Sequence, residues 1–287
     1  MDGEQFAEPA APMNTLFMHD SVAWRVNREA VLLLGARRAL LMQIAHPLVA
    51  AGVADHSDFS SHPLERLRRT VQTTFALTFG SADEARRAYR QVDSVHARVH
   101  GKLKRPVGGF AAGTYYDARH PELLFWVHAT LVDTAMLIYG RYVRTLSAEE
   151  AQSYYQASKT IARLFQIPDS MVPSQLDDFQ DYMRRMIESG VLQVGATGRA
   201  LARSILYPPV PLMPSWVFDT LNLVTIGLLP PELREEYGLK WSWANQLLLD
   251  ASSLAIRAMM PLLPDLFRAV PAARAAERAL ARNGSGG

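Results

Sequence analysis

The stretch Ser81-Ala-Asp-Glu-Ala-Arg-Arg-Ala-Tyr-Arg-Gln-Val-Asp-Ser-Val-His-Ala-Arg-Val-His-Gly-Lys-Leu103 decides how this chain folds. Ser81 with Glu84 three residues on is a capping-box pattern, in which each side chain satisfies a free backbone donor of the first helical turn. At about 100° per residue, Ala85, Ala88, Tyr89, Val92, Val95, Val99 and Leu103 share one face, so the spacing predicts an amphipathic helix over 82–103. His96 lies about 40° from the centre of that face and His100 about 80° from it. His96 therefore points inward, and His100 sits at the margin. A neutral imidazole at such a place is either a satisfied core residue or a metal ligand. A third reading pairs the two histidines, four apart on one helix, around one metal. It lacks the glutamate of an HExxH site, and no third ligand is evident.

The same period extends in both directions. Apolar residues three and four apart, bounded by Pro, Gly and capping residues, predict helices over about 22–52, 63–79, 119–145, 147–166, 174–190, 192–206, 214–228, 231–237, 243–261 and 264–282. Ser147 and Glu150 repeat the capping box. Alternating Val/Ile/Thr runs joined by hairpin turns are missing, so strands are not expected. The fold class is all-α: one multi-helix domain over 21–282, a loose arm over 1–20 and a Gly/Ser tail over 283–287. Within the first helix, Pro47 should kink or end the run near His46. The Trp216–Leu229 stretch is interrupted by Asp219 and Asn222 and falls short of the 20 or so apolar residues of a membrane span. It reads as a buried helix, with a peripheral membrane contact left open.

Polar residues inside apolar helices mark where chemistry could enter. After Thr70 the 63–79 helix runs without a charge, which predicts burial on both sides. Arg66, one turn before Thr70, would then need an anionic partner, either a carboxylate of the chain or one on a ligand. The 119–145 helix is apolar around most of its girth, and His128, Thr130, Asp133 and Thr134 interrupt it. Buried polar groups demand partners, and they either knit helices together or serve a site.

Composition removes several classes. The 287 residues contain no cysteine, which excludes disulfides, thiolate catalysis, cysteine-ligated zinc or iron–sulfur clusters and covalent c-type haem. Lys and Arg number 30 against 28 Asp and Glu, too balanced for a phosphate-binding surface, so no nucleic-acid partner is expected. Gly-rich nucleotide loops, a GxSxG elbow and paired ExxH motifs are absent. Met1 to Met13 carries three acids and no apolar core of a leader, so a cytoplasmic location is expected.

The run Leu33-Leu-Gly-Ala-Arg-Arg-Ala-Leu-Leu-Met-Gln-Ile-Ala-His-Pro-Leu-Val-Ala-Ala-Gly-Val-Ala-Asp-His-Ser57 is distinctive. It continues through Pro63, Arg66 and Thr70, then Val95-His96-Ala97-Arg98-Val99, Gly101, Tyr116-Asp117-Ala118 and Trp126-Val127-His128. Over residues 22–245 the chain resembles the MpaB-type oxygenases, a family that includes the latex-clearing proteins. The resemblance implies a non-covalent b-type haem in a globin-like helical core, with O₂ as co-substrate. It implies that His96 is the proximal iron ligand and that Arg66 and Thr70 lie close to the haem; His128 joins them as a cofactor-binding candidate. The glutamate base of the rubber-cleaving members has no clear counterpart here, so His46 and His56 stand as candidates for the open face, with Asp55 beside them. The lysine next to the threonine in those members is Arg69. Rubber-cleaving members are also secreted and longer, so rubber itself is not the expected substrate.

The resulting expectation is a haem-dependent oxygenase acting on a small, hydrophobic, unsaturated molecule, by C=C cleavage or, with an electron donor, by oxygen insertion. Two other readings remain: a haem-binding sensor or carrier without turnover, and a haem-free helical lipid-binding or structural protein.

Overall fold

The computed structural model describes residues 15–56, 63–210 and 213–284. Among these residues, fourteen α-helices carry most of the chain, and the strands are confined to one two-stranded hairpin. The all-α class predicted from the apolar spacing is the observed one. In chain order the helices are α1 (Val22–Asn27), α2 (Ala36–Ile44), α3 (Pro47–His56), α4 (Pro63–Phe79) and α5 (Ala82–His96). The hairpin β1 (His100–Lys102) and β2 (Tyr115–Asp117) follows, then α6 (Pro121–Tyr142), α7 (Ala148–Leu164), α8 (Leu176–Glu188) and α9 (Ala196–Leu206). The chain closes with α10 (Ser215–Gly227), α11 (Pro231–Tyr237), α12 (Trp243–Met259), α13 (Asp265–Arg268) and α14 (Pro271–Gly284).

Local chemistry sets many of these boundaries. Ser81 Oγ accepts from the Glu84 N–H at 3.3 Å while Glu84 Oε2 accepts from the Ser81 N–H at 2.8 Å. Ser147 and Glu150 do the same at 3.1 Å in both directions. Each such cap stabilises its helix by about 1 kcal/mol. Gly238, in the left-handed region at φ 68°, ends α11 where a side chain would be strained.

The central helix is α6, packed by α1, α2, α7 and α12. By length and composition it is the one described helix apolar enough to cross a bilayer, and half of that window is buried within the protein. Its polar residues are used to hold α2. Arg38, 4% exposed, donates to Thr134 Oγ1 at 2.5 Å and to the Leu228 carbonyl at 2.6 Å. Its guanidinium also forms an ion pair with Asp133 at 2.8 Å. Farther along, Gln43 Nε2 donates to Thr130 Oγ1 at 3.1 Å. Close approach at this contact requires Gly35, because a Cβ there would lie 2.5 Å from Thr134 Cγ2.

Several boundaries and burials differ from the sequence expectation. The 22–52 helix is divided: α1 stops at Asn27, a 3-10 turn covers Ala30–Gly35, and α3 runs on to His56. The break after Asn27 has a long-range cause. The Val270 N–H donates to the Arg28 carbonyl at 2.8 Å, and Glu29, 2% exposed, is held by Arg268 at 2.8 Å. The 82–103 helix ends at His96, so Val99 and Leu103 leave the wheel, and Val95 is 47% exposed. The reason is β1, whose residues pair with β2 in the register His100↔Asp117, Gly101↔Tyr116 and Lys102↔Tyr115. The α4 helix spans the predicted 63–79, but Thr70, Gln72 and Thr74 are exposed. It packs on α5 and α14 and less on α1, and Thr74 and Thr78 return their hydroxyls to the carbonyls of Thr70 and Thr74. The α10 segment is buried on one side only: Phe218, Asn222, Val224 and Thr225 face inward while Trp216 is 67% exposed. The predicted 264–282 helix divides into α13 and α14 at Pro271.

Candidate functional site

Tyr89, Val92 and His96 recur every three or four residues and form the side of α5 that turns toward the rest of the protein. Tyr89 meets Phe165 edge-on at 5.3 Å and accepts a hydrogen bond from Gln166 Nε2 at 2.9 Å, both beyond the end of α7. Two turns later, His96 closes the helix, half-buried. Its imidazole has no hydrogen-bond partner among the described residues. Burial pushes its pKa below the ordinary histidine value; Asp93 and Asp117 oppose that shift, and Arg119 reinforces it. Those three residues form one network. Arg119 grips Asp93 through two bonds of 2.9 and 2.7 Å, and its backbone N–H donates to Asp117 Oδ1 at 2.8 Å. A neutral ring with a free nitrogen lone pair is the form that ligates a metal.

Two further sequence candidates, Arg66 and Thr70, lie on α4, the helix that precedes α5. The two helices pack on each other and are joined through Gly80 and Ser81, and position 66 lies about as many residues before that turn as His96 lies after it. Thr70 lies one turn nearer the turn and is exposed. The side chain of Arg66 lies outside the described residues.

The remaining candidates sit elsewhere. His46 is the residue before α3, 7% exposed; its Nδ1 accepts the Leu48 N–H at 3.3 Å, and its ring is 5.5 Å from that of Phe110. Burial lowers its pKa to about 4. His56, at the opposite end of the ten-residue α3, is exposed and places Nε2 3.0 Å from the His100 carbonyl oxygen. Ten helical residues separate the two by about 15 Å, so His46 and His56 do not converge. Asp55 is engaged by Lys104 Nζ at 2.5 Å and by the Tyr116 hydroxyl at 2.8 Å. His128 is half-buried on α6, 6.5 Å from the Phe125 ring, and burial lowers its pKa to about 4. It too has no hydrogen-bond partner among the described residues.

Because His100 lies on β1 rather than on α5, and is exposed, the reading of His96 and His100 as one helical metal pair is corrected. Among the described residues no group of three or more His, Asp or Glu is placed to hold a bare metal ion. Nothing in the sequence marked the buried polar atoms that lack a hydrogen-bond partner among the described residues at Trp126, Tyr142 and Arg274. Trp126 is 1% exposed, and its indole N–H finds no acceptor. It stands one turn before Thr130, on the face of α6 that Gln43 reaches. Its apolar neighbours gave no signal that the indole would lack a partner.

Residues 24–262 match the family described as ER-bound oxygenase mpaB/B'/rubber oxygenase, catalytic domain. Two similar curated proteins, "Uncharacterized protein Rv2237" of Mycobacterium tuberculosis and "Uncharacterized protein Mb2261" of Mycobacterium bovis, are each 31% identical over 219 residues. Those alignments cover 72% of this chain and 80% of each relative. No solved structure gives a significant match. With most of its length matched, the chain belongs to the MpaB/rubber oxygenase catalytic-domain family.

Proposed function

We propose that the chain is a haem-b-dependent oxygenase acting on a small, hydrophobic, unsaturated molecule, in which His96 would hold the iron. The observation that carries this reading is the free, neutral imidazole of His96 at the end of α5, in a chain whose described residues offer no multidentate metal site. One unpaired imidazole suits a metal that brings four ligands of its own, so the donor set fits a haem. When bound, that group supplies the binding and activation of O₂.

The protein's part is positioning and electrostatics. Arg119 holds Asp93 in a two-point ion pair, and its own charge partly offsets the pull of Asp93 on a proton at His96. Arg66, on α4, would pair with a haem propionate, and Thr70 would stand beside it. His128 would line the same cofactor from α6. Cleavage of a C=C bond by O₂ into two carbonyl compounds balances without an electron donor. Insertion of one oxygen atom would need two electrons and two protons from a reductant, with water as the second product.

One observation favours the second reading, a haem-binding sensor or carrier without turnover. Both candidates for the open face are already engaged: His46 Nδ1 by the Leu48 N–H and His56 Nε2 at the His100 carbonyl. The experiment that tests the proposal is His96→Gly with added imidazole. The variant should lose haem while keeping its helical circular dichroism, and imidazole should restore the wild-type absorption spectrum. A variant that binds haem with an unchanged spectrum would overturn the assignment of His96.

A further inference from the structure

A second surface stands apart from the His96 site and independent of the function proposed for it. On α12, residues 243, 247, 251, 254, 255 and 258 fall within about 120° of one another on the helix circumference. All six are exposed, Trp243 at 80%, Leu247 at 62% and Leu254 at 70%, the other three being alanines. The 3-10 turn after α12 continues the row with Leu262 at 81%. The charged residues of α12 border this face on one side and are paired within the chain. Asp250 pairs with Arg141 of α6, and Arg257 donates to the Gly140 carbonyl at 3.3 Å.

We infer that this face is where a second copy of the chain docks, α12 against α12 about a two-fold axis. Trp243, Leu247, Leu254 and the three alanines, with Leu262 just beyond, expose on the order of 700 Å² of largely apolar surface, close to the 800 Å² or so per partner of a stable protein–protein interface. Monomers rarely leave an apolar patch of that extent in water. Ala251, Ala255 and Ala258 leave room for two helix backbones to approach closely, and an apolar face whose bordering charges are already paired within the chain is complementary to itself. A membrane is a poorer occupant. An interfacial helix meets lipid with Lys and Arg along its flanks, whereas no lysine occurs after Lys240. The arginines of α12 and α13 are already engaged, Arg257 by Gly140 and Arg268 by Glu29.

The absence of cysteine makes the test direct. The full chain should sediment as a dimer at micromolar concentration, and Leu254→Glu should raise the dimer dissociation constant by roughly a hundredfold or more, since each dimer buries the residue twice. Circular dichroism should stay unchanged, because Leu254 is already exposed. Single cysteines at Ala251→Cys, Leu254→Cys and Ala255→Cys should include at least one that forms an oxidised dimer without denaturant, and Val95→Cys on α5 should not. A wild-type chain that stays monomeric would overturn the inference. So would a dimer indifferent to both Leu247→Glu and Leu254→Glu, or a monomer that instead floats with phosphatidylcholine vesicles.

Discussion

Acid should destabilise this protein through histidines that are buried neutral, and His46 gives the clearest magnitude. Its folded pKa is about 4 because burial penalises the charged ring, against 6.5 for the free side chain. Between those values the unfolded chain holds a proton that the folded chain does not, so stability rises with pH across that window and falls as pH drops through it. Going from pH 7 to pH 5, this one residue removes about 2 kcal/mol. For 287 residues, that loss corresponds to a midpoint lowered by about 4 °C. The perturbation is His46→Asn, whose amide oxygen can still accept the Leu48 N–H but cannot be protonated in this range. Urea unfolding at pH 7 and pH 5 should show the variant losing about 2 kcal/mol less than the wild type between the two conditions. Equal losses in the two proteins would refute the reasoning, whatever their absolute stabilities.

Other residues give further expectations. Asp133→Ala should cost about 2 kcal/mol, less than the roughly 3–5 kcal/mol of a fully buried ion pair because the Asp133 side chain is 29% exposed, since buried Arg38 keeps Thr134 and the Leu228 carbonyl but loses its carboxylate; thermal melts check this, and a change under about 0.5 kcal/mol would count against it. Gly101→Ala should destabilise by about 1–3 kcal/mol through overpacking, since its Cβ would lie 2.6 Å from the Tyr116 hydroxyl that holds Asp55. Hydrogen exchange should localise that loss to the β1–β2 hairpin. Arg119→Ala frees Asp93 and removes the cation that lowers the His96 pKa, so the His96 NMR titration should move upward; an unmoved titration would remove Arg119 from the account.

What was legible in the sequence follows the range of the interactions that fix it. The bounds of α4 and α11 could be read because Pro starts each one and a glycine follows each one's end. The capping boxes at Ser81 and Ser147 are likewise written within four residues. The end of α5 was not legible. Val99 and Leu103 continue the helical period, yet the Leu103 N–H donates to the Thr114 carbonyl and β1 pairs with β2, contacts that no local pattern encodes. The break after Asn27 depends on Ala269, Val270 and Arg268, roughly 240 residues away in sequence. Asp133 could be marked as a buried polar residue in need of a partner, but not matched to Arg38, which lies 95 residues earlier in the chain with no local pattern linking the two. Oxygenase family membership was legible because the motifs from Leu33 to His128 are long and specific, whereas the helical wheel alone left His96 with two meanings.

The account rests on His96 serving an iron. Its most direct test is the absorption spectrum of the purified protein, expressed with haem precursor, before and after dithionite and carbon monoxide. A Soret band that shifts with carbon monoxide is the predicted result, and it means one face of the iron is open. A colourless protein that also refuses added hemin would contradict the account and leave His96 a structural residue.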